Sequence, residues 1–525
     1  MAVAQTRIDR RAAIAFTNAP TAESLTRYAP AAVLIAILIA DSNRHSDPDL
    51  WGHVRFGQIF IAKRHLLHHD IYSYSAAGHP WRDHEWLAEV LMAAVYNTAG
   101  VAGLKLWKFV CSAAALLCVV DTEASAGARP TLQLAILFAA AFGLVLQAQL
   151  RPQMFSFALL AALLALVARD TYRRDAPLWL VIPLMVLWVN LHGGFFIGVA
   201  ALALYTAVAT FCDRTDSARG RRGIRLVLLT VAATAATVVN PYGLGMWETV
   251  AHALANPYTR NVVKDWQPLL WAMRIQWHSA PSGVSLYLAV IGMAAALAVA
   301  FAASPRTDDL PLVAVAAMMT LAAFVSVRNM ALAAIALSGP LAHHLALLQA
   351  RRSSDGAPAR WRLGSHLAMF GLAGAMALGG GLFSSRLATD RVYPRAALDF
   401  MSERNLHGKV LSEFAWGEYL IWHSVPADEV FIDGRYDTVY PFKVIRDYLE
   451  FYFDGPGAGA VLDSYAHDFV LIGPHVPARR LMEGRHDWKL LYRDDAALLY
   501  GRSRTPAANL SGLPVIGTAL PGEFP

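Results

Sequence analysis

Charged residues and cysteines are both scarce in this chain of 525 residues. Only 16% of the residues are charged, against roughly a quarter in soluble domains, so most of the chain is not a water-exposed globular fold. The three cysteines, Cys111, Cys118 and Cys212, form no CxxC pair and imply neither a disulfide framework nor a thiolate metal site. The sequence also lacks a GxGxxG motif and a P-loop, so soluble nucleotide binding has no support.

Apolar residues make up 56% of the chain, and the mean hydropathy is +0.38. Repeated apolar runs of about 15 to 20 residues predict membrane-spanning helices. We predict about eleven spans, and the fold class is an α-helical polytopic membrane protein. The spans are Tyr28–Ala40, Leu104–Val120, Leu132–Ala148, Met154–Ala168, Leu178–Leu191, Phe195–Phe211, Leu226–Val239, Val284–Ala303, Leu310–Val325, Met330–Leu348 and Leu363–Phe383.

The positive charge sets the orientation of these spans. With the N-terminus inside, most arginines of the connections lie on the inner side, and the short outer turns hold only Arg151 and Arg328. The net charge of +6 therefore reflects membrane orientation, and we expect no nucleic-acid partner. An odd number of spans places the residues after Phe383 outside the cell. We expect a multi-pass protein of the cytoplasmic (inner) membrane whose first span is a retained anchor.

Composition also divides the chain into regions. After the last span, short strand-like runs alternate with helical patterns, which is typical of a small α/β domain. The predicted regions are an inner N-terminal segment (1–27), a membrane domain (28–383) with two long outer loops (41–103 and 240–283), an extracytoplasmic α/β domain (384–503) and a disordered tail (504–525).

The first outer loop carries the densest set of polar residues. Asp47 and Asp49 open it, and a predicted surface helix, His84–Thr98, closes it with an apolar face that suits the membrane interface. A carboxylate at this depth can accept a proton or help to hold a divalent metal. An ordinary solvated loop with interfacial tryptophans would explain the same residues one by one. The further candidates for substrate binding in this loop are His53, Asp70, His84 and Glu85.

The short outer turns add candidates that would meet the first loop at the same membrane face. Arg151 and Arg328 either snorkel to the interface or bind an anion, for which a planar guanidinium is well suited. His192, beside Gly193 and Gly194, is either satisfied within its turn or a site residue. Trp266 in the second outer loop could contact a sugar.

Two other patterns leave structural and functional alternatives open. Asn240 begins an Asn-Pro-Tyr-Gly turn signal. Asp433 and Arg435 follow a predicted strand, and they form either a functional strand end or a salt-bridged turn. The many histidines of the first loop contain no HExxH or similar zinc pattern.

Together these motifs resemble the GT-C superfamily of polytopic membrane glycosyltransferases, and more closely a bacterial group described as family-39-like or uncharacterised. The resemblance covers most of the membrane part. The matching segments are Asp47-Pro-Asp49-Leu-Trp51-Gly-His53, Gly78-His-Pro-Trp81-Arg-Asp-His84-Glu85-Trp86-Leu, Arg151-Pro-Gln153, Asn190-Leu-His192-Gly-Gly194, Asn240-Pro-Tyr-Gly243 and Arg328-Asn329.

The resemblance implies inverting transfer of a sugar from a polyprenyl-phosphate donor to a glycan, lipid or protein acceptor at the outer face. It implies that a first-loop carboxylate acts as base or metal partner, by position Asp49 with Asp47 as the near alternative, and a Mg²⁺ or Mn²⁺ ion could be held there. The acids of this chain are spaced Asp-Pro-Asp instead of adjacent, and no clear match for a second outer-loop acid is visible.

Two other classes of function remain open at this point. A transporter or lipid flippase would suit eleven spans, but it predicts polar residues and helix breaks near the middle of the membrane. Here polarity collects at one face, and Pro183 and Pro340 are the few candidates for breaks. A non-catalytic assembly or export partner would leave the clustered acids unexplained. An acid-substitution series tested for activity separates both classes from an enzyme.

Overall fold

A computed structural model gives the structure of the protein over residues 47–145, 147, 149–212, 217–256, 258, 264–279, 284–352, 387–388, 393–503, 515–517 and 523–524. Most of the elements before residue 353 are helices. They are α1 (Leu50–Lys63), α2 (Trp86–Ser125), α3 (Pro130–Val145), α4 (Gln153–Tyr172), α5 (Val181–Leu191), α6 (Phe195–Cys212), α7 (Ser217–Ala236), α8 (Gly245–Ala255), α9 (Leu269–Ser279), α10 (Val284–Ala303), α11 (Leu310–Val325) and α12 (Met330–Arg352), with 3₁₀ turns at Leu178–Leu180, Lys264–Trp266 and Val327–Asn329.

The apolar runs of the sequence form the expected helices, and the chain is a multi-pass membrane protein. Among the described residues, five helices are long and apolar enough to cross a membrane, and shorter apolar helices lie at Pro130–Leu144, Leu178–Leu191 and Leu310–Val325. The long ones are Trp86–Ser125, Gln153–Tyr172, Phe195–Cys212, Val284–Ala303 and Val327–Arg351. The first and last predicted spans lie outside the described residues, so the count of eleven stays a prediction.

The predicted surface helix is not a separate element. It forms the first part of α2, a hydrogen-bonded run of 40 residues whose backbone leaves helical geometry at Gly100, where φ is 58°. A straight helix of that length would extend about 60 Å, roughly twice the apolar thickness of a bilayer. Gly100 accepts a positive φ without the strain of a side chain. The break therefore divides α2 close to the predicted end at Thr98.

The residues after position 386 contribute a sheet and short helices. The strands are β1 (Leu387–Ala388), β2 (Lys409–Ser412), β3 (Glu429–Val430), β4 (Phe469–Ile472), β5 (Trp488–Arg493), β6 (Leu498–Arg502), β7 (Val515–Ile516) and β8 (Glu523–Phe524). The helices are α13 (Arg395–Glu403), α14 (Gly417–Ser424), α15 (Phe442–Tyr452), α16 (Ala458–Ser464) and α17 (Arg479–Gly484).

Six of these strands form one mixed sheet in the order β3-β2-β4-β6-β5-β7, and β1 pairs with β8. β2 is parallel to β3 and β4, whereas β6 is antiparallel to β4 and β5. Strand β4 is buried along its whole length, which explains its unbroken apolar sequence, Phe-Val-Leu-Ile. These strands and helices agree with the alternation of strand-like runs and helical patterns that the sequence shows in this region.

The sheet is joined to the first loop by backbone and side-chain contacts. The Val430 N–H donates to Tyr72 O over 3.0 Å, and Val430 O accepts from the Tyr74 N–H over 3.2 Å. Trp51 of α1 is fully buried, with its ring 4.9 Å from that of Tyr419 and 4.5 Å from that of Phe524. These contacts hold the end of β3 against the loop that carries the candidate acids.

Candidate functional site

Asp47 and Arg151 form the base of a polar cluster at the end of the bundle that faces the sheet. Asp47 is fully buried; its Oδ1 accepts the Asp49 N–H over 2.8 Å, and its Oδ2 is ion-paired with Arg151 Nε. Arg151 Nη1 also donates to Asp265 Oδ2 over 3.1 Å. Since two carboxylates already neutralise Arg151, its expected role in phosphate binding is not favoured. Instead, the guanidinium joins the two outer loops and fixes the acidic turn.

Asp49 is the carboxylate of this turn that stays accessible. Its Oδ2 lies 3.7 Å from Arg151 Nη2, beyond hydrogen-bonding distance, and 27% of its side chain is exposed. Desolvation by the surrounding protein raises the pKa of the Asp49 carboxyl well above its usual range. The negative charge of Asp47 raises this pKa further, whereas the positive charge of Arg151 lowers it. A carboxylate with a raised pKa is a stronger proton acceptor than an ordinary aspartate.

The segment that follows β3 covers Asp49 closely at one glycine, Gly434. A Cβ atom on Gly434 would lie 2.5 Å from Asp49 Oδ1 and 2.6 Å from Glu418 Oε1, so only glycine fits there without displacement. Glu418 belongs to α14, and its Oε2 accepts the Gly52 N–H over 3.0 Å. The sheet region therefore contributes one wall of the pocket around Asp49.

Glu85, the residue before α2, is surrounded by three histidines. Glu85 Oε1 lies 3.4 Å from His192 Nε2 and 3.7 Å from His84 Nε2, and Glu85 Oε2 lies 3.8 Å from His53 Nδ1. Burial acts to raise the pKa of Glu85, but the three histidines and Arg328 outweigh it and lower this pKa to about 2. Glu85 is therefore ionised at neutral pH.

The hydrogen-bond partners of His192 fix its tautomer. Its Nδ1 lies 2.9 Å from the Gly194 N–H, which can only donate, and 2.8 Å from Ser156 Oγ. Ser156 Oγ itself accepts the Trp188 Nε1–H over 2.7 Å, which leaves its own proton for His192. Burial lowers the pKa of His192 to about 3, so the ring is neutral and its proton lies on Nε2, facing Glu85.

The glycines next to His192 allow neighbouring rings to approach the backbone closely. A Cβ atom on Gly193 would lie 2.7 Å from His84 Cδ2, and one on Gly194 would lie 2.8 Å from His192 Nδ1. His84 reaches Glu85 because nothing projects from Gly193.

Arg328 supplies a cation that no acid among the described residues neutralises directly. Its guanidinium carbon lies 5.0 Å from the ring centroid of Trp266, a cation–π distance. Among the residues that the structure describes, no carboxylate oxygen lies within 4.0 Å of the Arg328 guanidinium, and Asp265 and Glu85 act on it only at longer range. Ser326 Oγ donates to Asp265 O over 2.9 Å, which holds the second outer loop against this turn.

Two other predicted residues have structural partners outside this cluster. The Asp70 side chain is fully buried; its carboxylate accepts from Ser73 Oγ over 2.6 Å, and its Oδ1 is ion-paired with Arg435 Nη1 at 2.6 Å. Arg435 Nη2 also donates to Asp433 Oδ2 over 2.6 Å. Asp70 therefore anchors the sheet region instead of facing a substrate, and the structure favours the salt-bridged turn at Asp433 and Arg435.

The structure separates the residues that fit a divalent metal from those that do not. Asp47 is engaged by Arg151, so Asp47 and Asp49 do not fit a shared cation. His53, Glu85 and Glu89 have donor atoms within 4.8 Å of one another, and this donor set fits a divalent ion. His192 does not join it, because its Nε2 carries a hydrogen.

Sequence reasoning missed several members of the cluster. Asp265 of the second outer loop is absent from the predicted site residues, and its contact with Arg151 joins residues 114 positions apart. Ser156 and Glu89 lie inside apolar helices, one turn after Gln153 and Glu85 respectively. That spacing on one helix face was the available signal. Asn240 bonds its own turn through the Tyr242 N–H, as the turn signal predicts.

An apolar cavity opens next to the cluster. It has a volume of about 420 Å³ and is lined by Leu87, Ile182, Pro183, Val186, Leu187 and Asn190. Leu87 follows Glu85 by two positions and Asn190 precedes His192 by two, so the cavity is lined by residues close in sequence to the cluster.

Comparison with known proteins identifies the class of fold. The chain has the fold of the GT-C class of polytopic membrane glycosyltransferases. No family model matches the sequence, and no curated protein matches it.

Three solved structures illustrate the likeness. The archaeal oligosaccharyltransferase AglB from Archaeoglobus fulgidus, in complex with an inhibitory peptide and a dolichol-phosphate, is 13% identical and has a TM-score of 0.52 over 86% of this chain and 70% of that chain. ArnT from Cupriavidus metallidurans is 14% identical, with a TM-score of 0.51 over 91% and 98% of the two chains. Arabinofuranosyltransferase AftD from Mycobacteria is 14% identical, with a TM-score of 0.51 over 90% of this chain and 41% of that one.

Proposed function

We propose that the protein is a membrane glycosyltransferase that transfers a sugar from a polyprenyl-phosphate donor to an acceptor hydroxyl, with inversion, at the outer face of the cytoplasmic membrane. The observation that carries this proposal is the pairing of an accessible proton acceptor, Asp49, with an unneutralised cation, Arg328, at one end of a GT-C fold. A complex of AglB contains a dolichol-phosphate, which is a donor-type lipid.

The donor phosphate belongs at Arg328 in this proposal. The phosphate leaves as an ionised group, so it needs charge stabilisation more than it needs a proton. Arg328 can give two parallel N–H bonds to phosphate oxygens, and Trp266 keeps its guanidinium plane in place. The apolar cavity beside Leu87 and Asn190 suits the first isoprene units of the lipid.

Asp49 acts on the acceptor. The acceptor hydroxyl attacks the anomeric carbon, a carbon–oxygen bond forms there, and the bond from that carbon to the phosphate oxygen breaks. The hydroxyl proton passes to Asp49, and the lipid phosphate departs with the electron pair. Arg151 holds Asp47 and Asp265 and thereby keeps Asp49 in position without neutralising it.

The acceptor approaches from the side of the sheet. The segment that follows β3, through Gly434, forms the wall that meets Asp49, and Glu418 lies beside it. A glycan, lipid or protein hydroxyl that enters between this wall and Arg328 would reach both groups. We infer that residues 384–503 form an extracytoplasmic domain that shapes this entrance.

The test is a transfer assay with purified protein and a panel of radiolabelled polyprenyl-phosphate sugars. Label transfer together with release of polyprenyl phosphate is expected from the wild type and from Asp399→Asn, a matched control at an exposed position of α13. Transfer at least about 100-fold slower is expected from Asp49→Asn. Addition of EDTA decides whether transfer depends on a bound metal. Undiminished transfer by Asp49→Asn would refute the proposed role of Asp49.

A further inference from the structure

Two histidines meet two aspartates at the end of the bundle opposite to Asp49. His344 Nε2 lies 3.3 Å from Asp309 Oδ1, and neither side chain has any exposed surface. His343 Nε2 lies 3.7 Å from Asp308 Oδ2. The histidines belong to α12, and the aspartates directly precede α11, so the contact joins two helices. We call these four residues the His-Asp cluster.

The tautomer of His344 follows from Ser304. Ser304 Oγ donates its own proton to Ala300 O over 2.7 Å, so at its contact of 2.8 Å with His344 Nδ1 it must accept. Ser304 O, a carbonyl, lies 3.1 Å from the same nitrogen and can only accept. His344 Nδ1 therefore carries a hydrogen, and in the neutral ring Nε2 presents a lone pair.

His343 has the same arrangement. Its Nδ1 lies 3.4 Å from Ala126 O, again a carbonyl acceptor, so its Nε2 also presents a lone pair in the neutral ring. Among the described residues, neither Nε2 atom nor Asp309 Oδ1 has a hydrogen-bond partner, and all three atoms are buried. In the neutral rings, lone pairs thus face carboxylate oxygens, which is unfavourable unless a proton or a metal cation lies between them.

We infer that the His-Asp cluster binds a zinc ion. Two ligands at zinc–ligand distances of about 2.0–2.2 Å on a tetrahedral ion lie about 3.3–3.6 Å apart, which is close to the 3.7 Å between His343 Nε2 and Asp308 Oδ2. Donor atoms of Asp308, Asp309 and His343 lie within 4.8 Å of one another, and His344 contacts Asp309 beside this group. Ligand histidines usually donate Nδ1–H to a backbone carbonyl, as both rings do.

The donor set distinguishes zinc from other cations. Mg²⁺ and Ca²⁺ prefer oxygen donors alone, whereas an imidazole beside carboxylates suits zinc. The exposed Asp308 side chain opens the cluster to the surface and provides an entry path. Tyr172 of α4 donates to Asp309 Oδ2 over 3.0 Å and orients that carboxylate.

A zinc ion here would link the residues that directly precede α11 to helix α12. The carbonyls of Ala126 and Ser304 would support the two histidine rings. The inference stands on α11 and α12 alone and does not depend on the proposed transfer reaction.

The test is metal binding by the full chain, purified in detergent with an affinity tag that contains no histidine. After removal of metal with a chelator, titration with Co²⁺ should give visible d–d absorption that saturates at one equivalent and disappears when zinc is added. His343→Gln and Asp309→Asn should weaken binding at least tenfold. Glu85→Gln is the matched control, because it alters the other possible metal group and should leave the absorption unchanged.

Three results would overturn the inference. They are absence of the absorption in the wild type, its persistence in both cluster variants, and its loss in Glu85→Gln. The first result would leave the cluster as a buried imidazolium–carboxylate pair. If Asp309→Asn does not fold, His343→Gln decides alone, since His343 lies at the rim beside the exposed Asp308.

Discussion

Histidines lie beside carboxylates at both ends of the helical bundle, but their ring hydrogens are placed in opposite ways. At the Asp49 end, a backbone N–H donates to His192 Nδ1, so Nε2 presents a hydrogen to Glu85. At the other end, carbonyls accept from His344 Nδ1, so Nε2 presents a lone pair to Asp309. The partner of one ring nitrogen therefore decides whether the other can orient a carboxylate or bind a metal.

The two ends also differ in their positive charge. Arg328 stands over Trp266 without a directly bound acid, which suits a ligand that brings its own negative charge. The His-Asp cluster has two carboxylates that face imidazole lone pairs, which suits a ligand that brings positive charge. Helix α11 connects these ends over about 24 Å, so each can be altered without direct contact with the other.

The largest effect is expected from a variant at the Asp49 end, which should lower the transfer rate without changing metal binding at the other end. Asp49→Asn removes the proton acceptor, and general-base catalysis contributes about 10²- to 10⁴-fold, so the transfer rate should fall by about that factor. Cobalt binding at the His-Asp cluster should not change. Loss of cobalt binding in this variant would mean that the two ends are not independent.

The next effect concerns the cation. Arg328→Gln should lower the transfer rate about 100-fold, because one charged donor to the departing phosphate is lost. Arg328→Lys keeps the charge but loses the paired N–H geometry. The transfer rate of this variant should therefore lie between those of the wild type and Arg328→Gln. Equal rates for Arg328→Gln and the wild type in the same assay would exclude the cation from the reaction.

The pH dependence of transfer should follow Asp49 alone. Since burial raises the pKa of Asp49 well above its usual range, the base is protonated at low pH, and the rate should rise about tenfold per pH unit until the pH passes that pKa. Glu85, with a pKa of about 2, stays ionised throughout and adds no second step. Initial rates from mildly acidic to neutral pH test this; a flat profile would argue against a titrating aspartate.

The smallest effect tests the hydrogen-bond chain behind His192. Ser156→Ala removes the acceptor of the buried Trp188 Nε1–H, which should lower the free energy of unfolding by about 1–3 kcal/mol. Transfer by the folded variant should fall only modestly, because Gly194 still fixes the tautomer of His192. Thermal unfolding in detergent, with Ser464→Ala as an exposed serine control, measures the difference.

The sequence predicted the helices better than the contacts between them. The bounds of Val284–Ala303 and Leu310–Val325 are as predicted, because continuous apolar runs end at polar residues. The pairing of Arg151 with Asp265 was not predictable, since it depends on how two loops far apart in the chain fold back. His343 and His344 also escaped notice, because two adjacent histidines in an apolar helix show no ligand spacing until Asp308 and Asp309 are placed beside them.

Where the sequence left two interpretations of a residue open, the contacts of that residue in the structure decide between them. Arg151 and Arg328 have the same sequence context, a short turn between spans, yet one is bound by acids and the other stands over an aromatic ring. Asp47 and Asp49 likewise divide into a buried ion pair and an accessible carboxylate. Sequence spacing could not assign these roles, because each depends on the electrostatic partner that folding supplies.

The most direct measurement separates donor binding from chemistry in one preparation. Binding of a radiolabelled polyprenyl-phosphate sugar and its single-turnover transfer should be measured for the wild type, Asp49→Asn and Arg328→Gln. The account predicts that Asp49→Asn binds the donor as the wild type does but transfers at least 100-fold more slowly, whereas Arg328→Gln also binds the donor more weakly. Wild-type transfer by Asp49→Asn would contradict the assignment of Asp49 as the proton acceptor.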